Sequence, residues 1–258
     1  MKHQLDHIGS SNFGEMYATP SLFRRFVYKV LPAHIWNQIR FELYATKVRR
    51  GHARIHRQLE GKHGLMVNIA AGKAGKEGWV NVDLFPASGI NCLYDSRKNL
   101  PFETGSVKGI FTEHFFEHID YTEEVPLFLA ECLRVLQPGG VIRVIVPDSE
   151  KYIRAYAEGS DALNALRGIK VDGVDPYFPN KYRTAMELFN TAFRQEYQHK
   201  WMYDFENLKD GLELMGFVDV RRSAFGESYL EGLAIDSPGR ARESLYVEGI
   251  KPNPMTEN

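Results

Sequence analysis

Apolar positions along the chain follow two rhythms. Between residues 65 and 146 they gather into short runs: Leu65–Ala70, Trp79–Phe85, Asn91–Asp95, Val107–Thr112 and Val141–Val146. Short apolar runs bounded by small or turn residues predict strands buried on both faces, as in a parallel sheet. Val125–Leu136 follows the other rhythm. Val125, Phe128, Leu129, Cys132, Leu133 and Leu136 fall on one helical face, and Pro138-Gly139-Gly140 ends the pattern. Glu150–Ala157 and Asp204–Met215 predict two further helices, and Phe217–Ser223 and Ser244–Glu248 two last strands. Strands that alternate with helices imply parallel pairing through crossover connections.

Before residue 60 the pattern is different. Residues 1–20 are polar and carry Gly9, Ser10, Ser11, Asn12 and Gly14, so they predict little regular structure. Residues 21–60 read as helical and basic. Arg24, Arg25, Lys29, Arg40, Lys47, Arg49, Arg50, Arg54 and Arg57 stand against Glu42, with aromatic and aliphatic residues interleaved and Pro32 as a break. Residues 159–200, with Pro176, Pro179 and many Tyr and Asn, read as an irregular insertion or lid. The expected division is a basic helical extension over 1–60 and a catalytic domain over 61–258.

Composition narrows the function classes. The formal net charge is −1, so no global field draws the chain to nucleic acid, and no nucleic-acid partner is expected. The two cysteines, Cys92 and Cys132, lie in apolar segments without metal-ligand spacing. They read as buried thiols in a reducing compartment. No apolar run approaches the roughly 18 residues of a membrane span. The start of the chain has no signal-peptide pattern, so a cytoplasmic location is expected. The basic segment 21–57 reads as a solvated helical face; its Arg and aromatic mixture also suits peripheral contact with the inner membrane surface or docking of a partner.

Candidate chemistry collects at the predicted carboxyl ends of the strands, where open α/β sheets bind ligands. The first strand ends in Asn68-Ile69-Ala70-Ala71-Gly72, whose small residues allow close approach of a ligand. The second ends in Asp83, a carboxylate able to accept from a ribose diol or to cap a turn. The third ends in Asp95, which could accept from an adenine amino group or open the turn that follows. After the fourth come Glu113, His114, Glu117 and His118, and after the fifth Pro147-Asp148. Asp148 is either a base or the cap of the next helix. His114-Phe115-Phe116-Glu117-His118 also fits HxxEH, a zinc-hydrolase pattern when it lies on a helix. Here it directly follows a strand, so a zinc hydrolase is the lesser alternative.

Taken in order, Val67-Asn68-Ile69-Ala70-Ala71-Gly72, Gly78-Trp79-Val80-Asn81-Val82-Asp83, Leu100-Pro101-Phe102, Ser106-Val107, Glu113-His114-Phe115-Phe116-Glu117-His118 and Leu133-Arg134-Val135-Leu136-Gln137-Pro138-Gly139-Gly140 resemble the class I S-adenosylmethionine-dependent methyltransferases, and within them a compact bacterial group. The resemblance is strong over about a third of the chain. Against the usual family turn, Asn68 replaces an acid, Ala70 and Ala74 replace glycines, and Gly72 stays in register. The resemblance implies a Rossmann-like, doubly wound α/β fold with a seven-stranded, mostly parallel sheet and a C-terminal antiparallel hairpin. It implies S-adenosyl-L-methionine as cofactor, held by Asn68, Ala70, Gly72, Asp83, Asp95 and Glu113. His114 and Asp148 are the candidate catalytic bases, and no metal ligand is assigned because the leaving group is neutral. The implied acceptor is a small molecule or glycan, such as a saccharide or lipid-linked cell-envelope precursor. A non-catalytic binding protein of the same fold is the remaining alternative, motivated by the missing glycines.

Overall fold

A computed structural model describes residues 30–178 and 181–254. Expectations for residues 1–29, including Arg24, Arg25 and Lys29, lie outside the described residues. The core is a seven-stranded sheet of β1 (Leu65–Ile69), β2 (Val80–Asp83), β3 (Cys92–Leu93), β4 (Val107–Glu113), β5 (Leu136–Pro147), β6 (Val218–Ser223) and β7 (Ser244–Ile250). The strands lie in the order β3-β2-β1-β4-β5-β7-β6. The first five pair in parallel, and β7 runs antiparallel to both β5 and β6. This is the expected doubly wound sheet with its terminal hairpin. The order reverses between β1 and β4, which opens a ligand crevice at their carboxyl ends.

Burial explains the strands. Val141 to Val146 are buried throughout, and Val67, Val82, Ile110, Val144 and Val247 are sealed from solvent. β5 begins earlier than the apolar run. Leu136 pairs with Val107 and Val141 with Gly109, so Gln137–Gly140 form a bulge inside the strand. The run also hides Arg143, whose side chain is fully buried.

Seven α-helices are described: α1 (Ala33–Arg49), α2 (His52–Leu59), α3 (Glu124–Val135), α4 (Ser149–Glu158), α5 (Ser160–Arg167), α6 (Ala185–Arg194) and α7 (Phe205–Leu214). Pro32 immediately precedes α1, and a second break falls at Arg50-Gly51. α3 starts where Asp120 accepts from the Thr122 and Glu123 N–H groups while Glu124 accepts from the Asp120 N–H, a reciprocal cap. Residues 159–200 are more regular than their composition suggests. Thr184 caps α6 by accepting from the Glu187 N–H. Leu163, Leu188 and Ala192 join Tyr152 and Ala155 in a small core of their own.

α1 and α2 are fastened to the sheet's β2–β3 edge. Tyr44 stacks on Phe85 at 5.1 Å between ring centroids, and His52 on Tyr94 at 3.5 Å. The basic face is therefore partly spent inside the molecule: Arg49 donates to Asp95 at 2.6 Å. At its other end α1 reaches the 159–200 segment, where His34 stacks on Tyr197.

The link from β1 to β2 contains no helix and packs tightly on the loop after β2. A Cβ built on Gly75 would lie 2.6 Å from the Gly89 carbonyl oxygen, a backbone atom with little freedom to yield. Gly75→Ala is expected to lower stability by about 1–3 kcal/mol, the cost of overpacking. Urea unfolding of the variant beside wild type checks this; an unchanged midpoint would mean that the two loops separate freely.

Candidate active site

Two features meet at the β1–β4 crevice. On the β1–β2 side, Ala70 and Gly72 both adopt left-handed backbone (φ 57° and 52°). A non-glycine residue there carries strain, which collects at functional sites. The space where a Cβ of Gly72 would sit is open. Asp83 Oδ2 accepts from the Gly72 N–H at 2.9 Å and Oδ1 from the Phe85 N–H at 2.8 Å. A carboxylate offers about four acceptor positions and the Leu84 N–H also donates, so one remains. Burial raises the Asp83 carboxyl above its ordinary value, against the lowering effect of the Phe85 and Gly72 N–H groups. A half-buried carboxylate with a spare lone pair beside an open glycine fits a ribose hydroxyl.

Other predicted cofactor residues are placed differently. Asn68 is buried and donates from Nδ2 to the Ala74 carbonyl at 3.1 Å. It shapes the 70–74 turn from beneath instead of facing a ligand. Asp95 is corrected outright. Its Oδ1 accepts from Arg97 N–H (3.3 Å) and Nε (2.9 Å), and its Oδ2 from Arg97 (2.8 Å) and Arg49 (2.6 Å). All four acceptor positions are occupied, so nothing is left for an adenine amino group. The Arg97 and Arg49 guanidinium groups outweigh the effect of burial and hold this carboxyl below its usual range. Glu113 accepts from the Ser237 N–H at 3.0 Å and from its hydroxyl, and so holds the connection before β7 over the sheet end.

On the β4–β5 side, His114 also has left-handed backbone (φ 54°), at the end of the strand next to β1. Its Nδ1 lies 3.1 Å from Glu117 Oε1 and its Nε2 3.0 Å from Ser244 Oγ. An ionised carboxylate only accepts, so Nδ1 carries the hydrogen and Nε2 accepts from the serine hydroxyl. His114, Glu117 and His118 line a cavity of about 110 Å³ with Tyr152, Arg167, Gln195, His199, Arg240 and Glu243. Residues 159–200 thus supply one wall of it. The lining is almost wholly polar. Tyr152 and Arg167 both donate to Glu243 Oε2.

Asp148 does not face this cavity. Its Oδ1 accepts from the Glu150 and Lys151 N–H groups, so it caps α4, while its buried Oδ2 has no hydrogen-bond partner. The HxxEH reading is corrected too. The motif runs from the end of β4 into a short 3-10 turn, Phe116–His118, not along an α-helix. His114 and His118 therefore do not form a helical ligand pair. Instead Glu117, His118 and His199 bring ligand atoms within 4.8 Å of one another. Burial raises the Glu117 carboxyl, but the His114 hydrogen bond and the electrostatic pull of the His114, His118 and His199 rings when protonated prevail and bring it down to about 2. Burial depresses His118, and it depresses His199 to about 4, so both rings are neutral at pH 7. In sequence, His199 stands with Tyr152, Tyr197 and Trp201 as an aromatic group able to line an acceptor pocket or to pack as core, and nothing ties it to His118, 81 positions earlier.

Residues 64–144, from β1 into β5, match the family described as Methyltransferase domain. Over these residues the chain is similar to a methyltransferase domain. No curated protein matches it in sequence. In structure the chain resembles a SAM-dependent methyltransferase from Archaeoglobus fulgidus, at 17% identity and a TM-score of 0.43, over 82% of this chain and 99% of that one. A SAM-dependent methyltransferase from Thermotoga maritima, described as a possible histamine N-methyltransferase, is similar at 16% identity and a TM-score of 0.42, over 89% and 98%. So is the Burkholderia thailandensis 1,6-didemethyltoxoflavin-N1-methyltransferase, at 13% and 0.42, over 92% of each chain. S-adenosylmethionine is the methyl donor of this family. No helix among the described residues is long and apolar enough to cross a membrane.

Proposed function

We propose that this methyltransferase moves the methyl group of S-adenosylmethionine to an oxygen or nitrogen nucleophile of a small polar acceptor held in the His114–His199 cavity. The observation that carries the proposal is the pairing, across the reversal point of the sheet, of an acceptor-rich Asp83–Gly72 corner with a polar cavity. The lining of histidine, arginine, glutamate and tyrosine suits a hydroxyl-rich acceptor, such as a saccharide, better than an acyl chain. The headgroup of a lipid-linked precursor would meet the same groups.

When bound, S-adenosylmethionine supplies an electrophilic methyl whose leaving group is a neutral thioether. The chain's own part is alignment and proton removal. Asp83 would accept from a ribose hydroxyl, with the Gly72 backbone close by. Ala70 and Glu113 flank the crevice on the β1 and β4 sides. His114 is the base of this proposal. Glu117 orients its ring and would stabilise the imidazolium, and Nε2 would take the acceptor's proton in place of its bond from Ser244. Peripheral membrane contact through residues 21–57 would depend on the basic positions that α1 and α2 leave outward, such as Arg50 and Arg54.

Calorimetric titration with S-adenosylhomocysteine tests the cofactor corner. Wild type should bind, and Asp83→Ala should weaken binding by about 1–3 kcal/mol, roughly five- to 150-fold, as a charge-assisted hydrogen bond is lost. A folded wild type that does not bind, or an Asp83→Ala variant that binds equally well, would sink the proposal.

A further inference from the structure

We propose that Glu117, His118 and His199 form a binding site for a divalent transition-metal ion of the zinc class. Nothing in the methyl-transfer reading requires this site. It follows from how the three side chains are held.

Both histidines are fixed as one tautomer. His118 Nδ1 lies 3.2 Å from the Gln198 carbonyl oxygen, and His199 Nδ1 lies 2.8 Å from that of Ala192. A carbonyl can only accept, so each Nδ1 carries the hydrogen and each Nε2 keeps a bare lone pair. Metal-binding histidines are prepared in this way: the far ring nitrogen donates to a backbone carbonyl, which sets the ring and its tautomer. The rings meet edge to face with centroids 4.8 Å apart.

Glu117 supplies the second, independent sign. Its side chain is fully buried, yet neither carboxylate oxygen has a well-aligned hydrogen-bond donor. Its one close polar neighbour is His114 Nδ1, 3.1 Å from Oε1. A fully buried anion with a single neighbouring donor is costly, and a cation at the mouth of the carboxylate is the ordinary remedy. His114 would then be the outer partner that steadies the ligating carboxylate.

The donor set is two imidazoles and one carboxylate, which zinc and its neighbours in the first transition row accept. Bonds of about 2.0–2.2 Å require tetrahedral donor atoms roughly 3.4 Å apart. The three ligand atoms now lie within 4.8 Å of one another, so the widest pair has to close by roughly 1.4 Å. Three protein ligands leave one position open, as in reactive zinc sites, and here it faces the cavity. On the methyl-transfer reading, an acceptor hydroxyl bound there would lose its proton more readily. The ion would also tie the 3-10 turn after β4 to the segment after α6.

The test uses the full chain, stripped with a chelator and titrated calorimetrically with zinc chloride. One Zn²⁺ per chain is expected. Binding should be at least about tenfold weaker in His199→Ala and His118→Gln, and unchanged in His63→Ala, an exposed histidine elsewhere. S-adenosylhomocysteine affinity reports separately whether each variant is folded. Cobalt chloride added to wild type gives a result that needs no variant: visible d–d bands of a low-coordinate N,O-ligated ion are expected. Absence of stoichiometric zinc, affinity indifferent to His199→Ala and His118→Gln, or a cobalt spectrum identical to the hydrated ion would each overturn the site. Zinc binding by a wild type that fails to bind S-adenosylhomocysteine would keep the metal site and overturn the methyl-transfer reading instead.

Discussion

Arg143→Ala is expected to lower the unfolding free energy by about 3–5 kcal/mol, the usual result of removing one partner from a buried ion pair. Arg143 sits in the middle of β5 with no exposed surface, and so do its partners Asp236 and Glu248. Its Nε and one terminal nitrogen grip both oxygens of Asp236 at 2.8 and 2.6 Å. The other terminal nitrogen reaches Glu248 at 3.2 Å and the Glu227 carbonyl at 2.7 Å, and the Ala224 carbonyl accepts at 2.9 Å. Alanine would leave buried Asp236 without its main donor, two backbone carbonyls without the guanidinium, and Glu248 with Ser228, Tyr229 and Arg221 alone. The effect should reach the site, because the same guanidinium anchors the 224–236 connection that delivers Ser237 to Glu113. Urea unfolding measures the loss. Combining Arg143→Met with Asp236→Asn and Glu248→Gln should recover part of it, since no bare charge then remains. A loss under about 1 kcal/mol for Arg143→Ala, the range of an exposed pair, would show that water reaches the network.

Arg143 also marks the limit of sequence reading. Its run reads correctly as a strand buried on both faces, because apolar neighbours dominate the pattern. The single charge within it gives no clue to its partners, which lie 93 and 105 positions away. Strands and their ends were legible because parallel strands are continuous apolar runs and their carboxyl ends carry small or acidic residues. Asp83 and His114 were located in this way. Asp95 looked identical to Asp83 in that respect, and only the fold brings Arg49 to it from a helix 46 positions earlier. Asp148 was readable as a cap or as a base. Both uses need an acid before a helix, and only the direction of its oxygens separates them. His199 joins His118 through the packing of residues 159–200, which have no strong periodicity to show where they turn.

Arg97→Ala should have a comparable effect, about 3–5 kcal/mol, and a more direct consequence for the cofactor corner. Arg97 is almost fully buried and joins three parts of the fold: Asp95 after β3, Glu42 on α1 at 2.6 Å, and Glu124 at the start of α3 at 3.2 Å. Removing it leaves buried Asp95 with Arg49 alone and releases the middle of α1. That helix places Tyr44 on Phe85, two residues beyond Asp83, so S-adenosylhomocysteine affinity should fall together with stability. Glu42→Ala separates hub from strap. Glu42 is 41% exposed at its side chain, so its loss should cost no more than about 1 kcal/mol. It loosens α1 but leaves Arg97 paired with Asp95. Urea unfolding and ligand titration of the two single variants and the double variant measure their coupling. If Arg97→Ala costs no more than Glu42→Ala, the energy lies in the α1 contact. If it costs several-fold more, the buried Asp95–Arg97 pair is what holds the edge of the sheet around the cofactor corner.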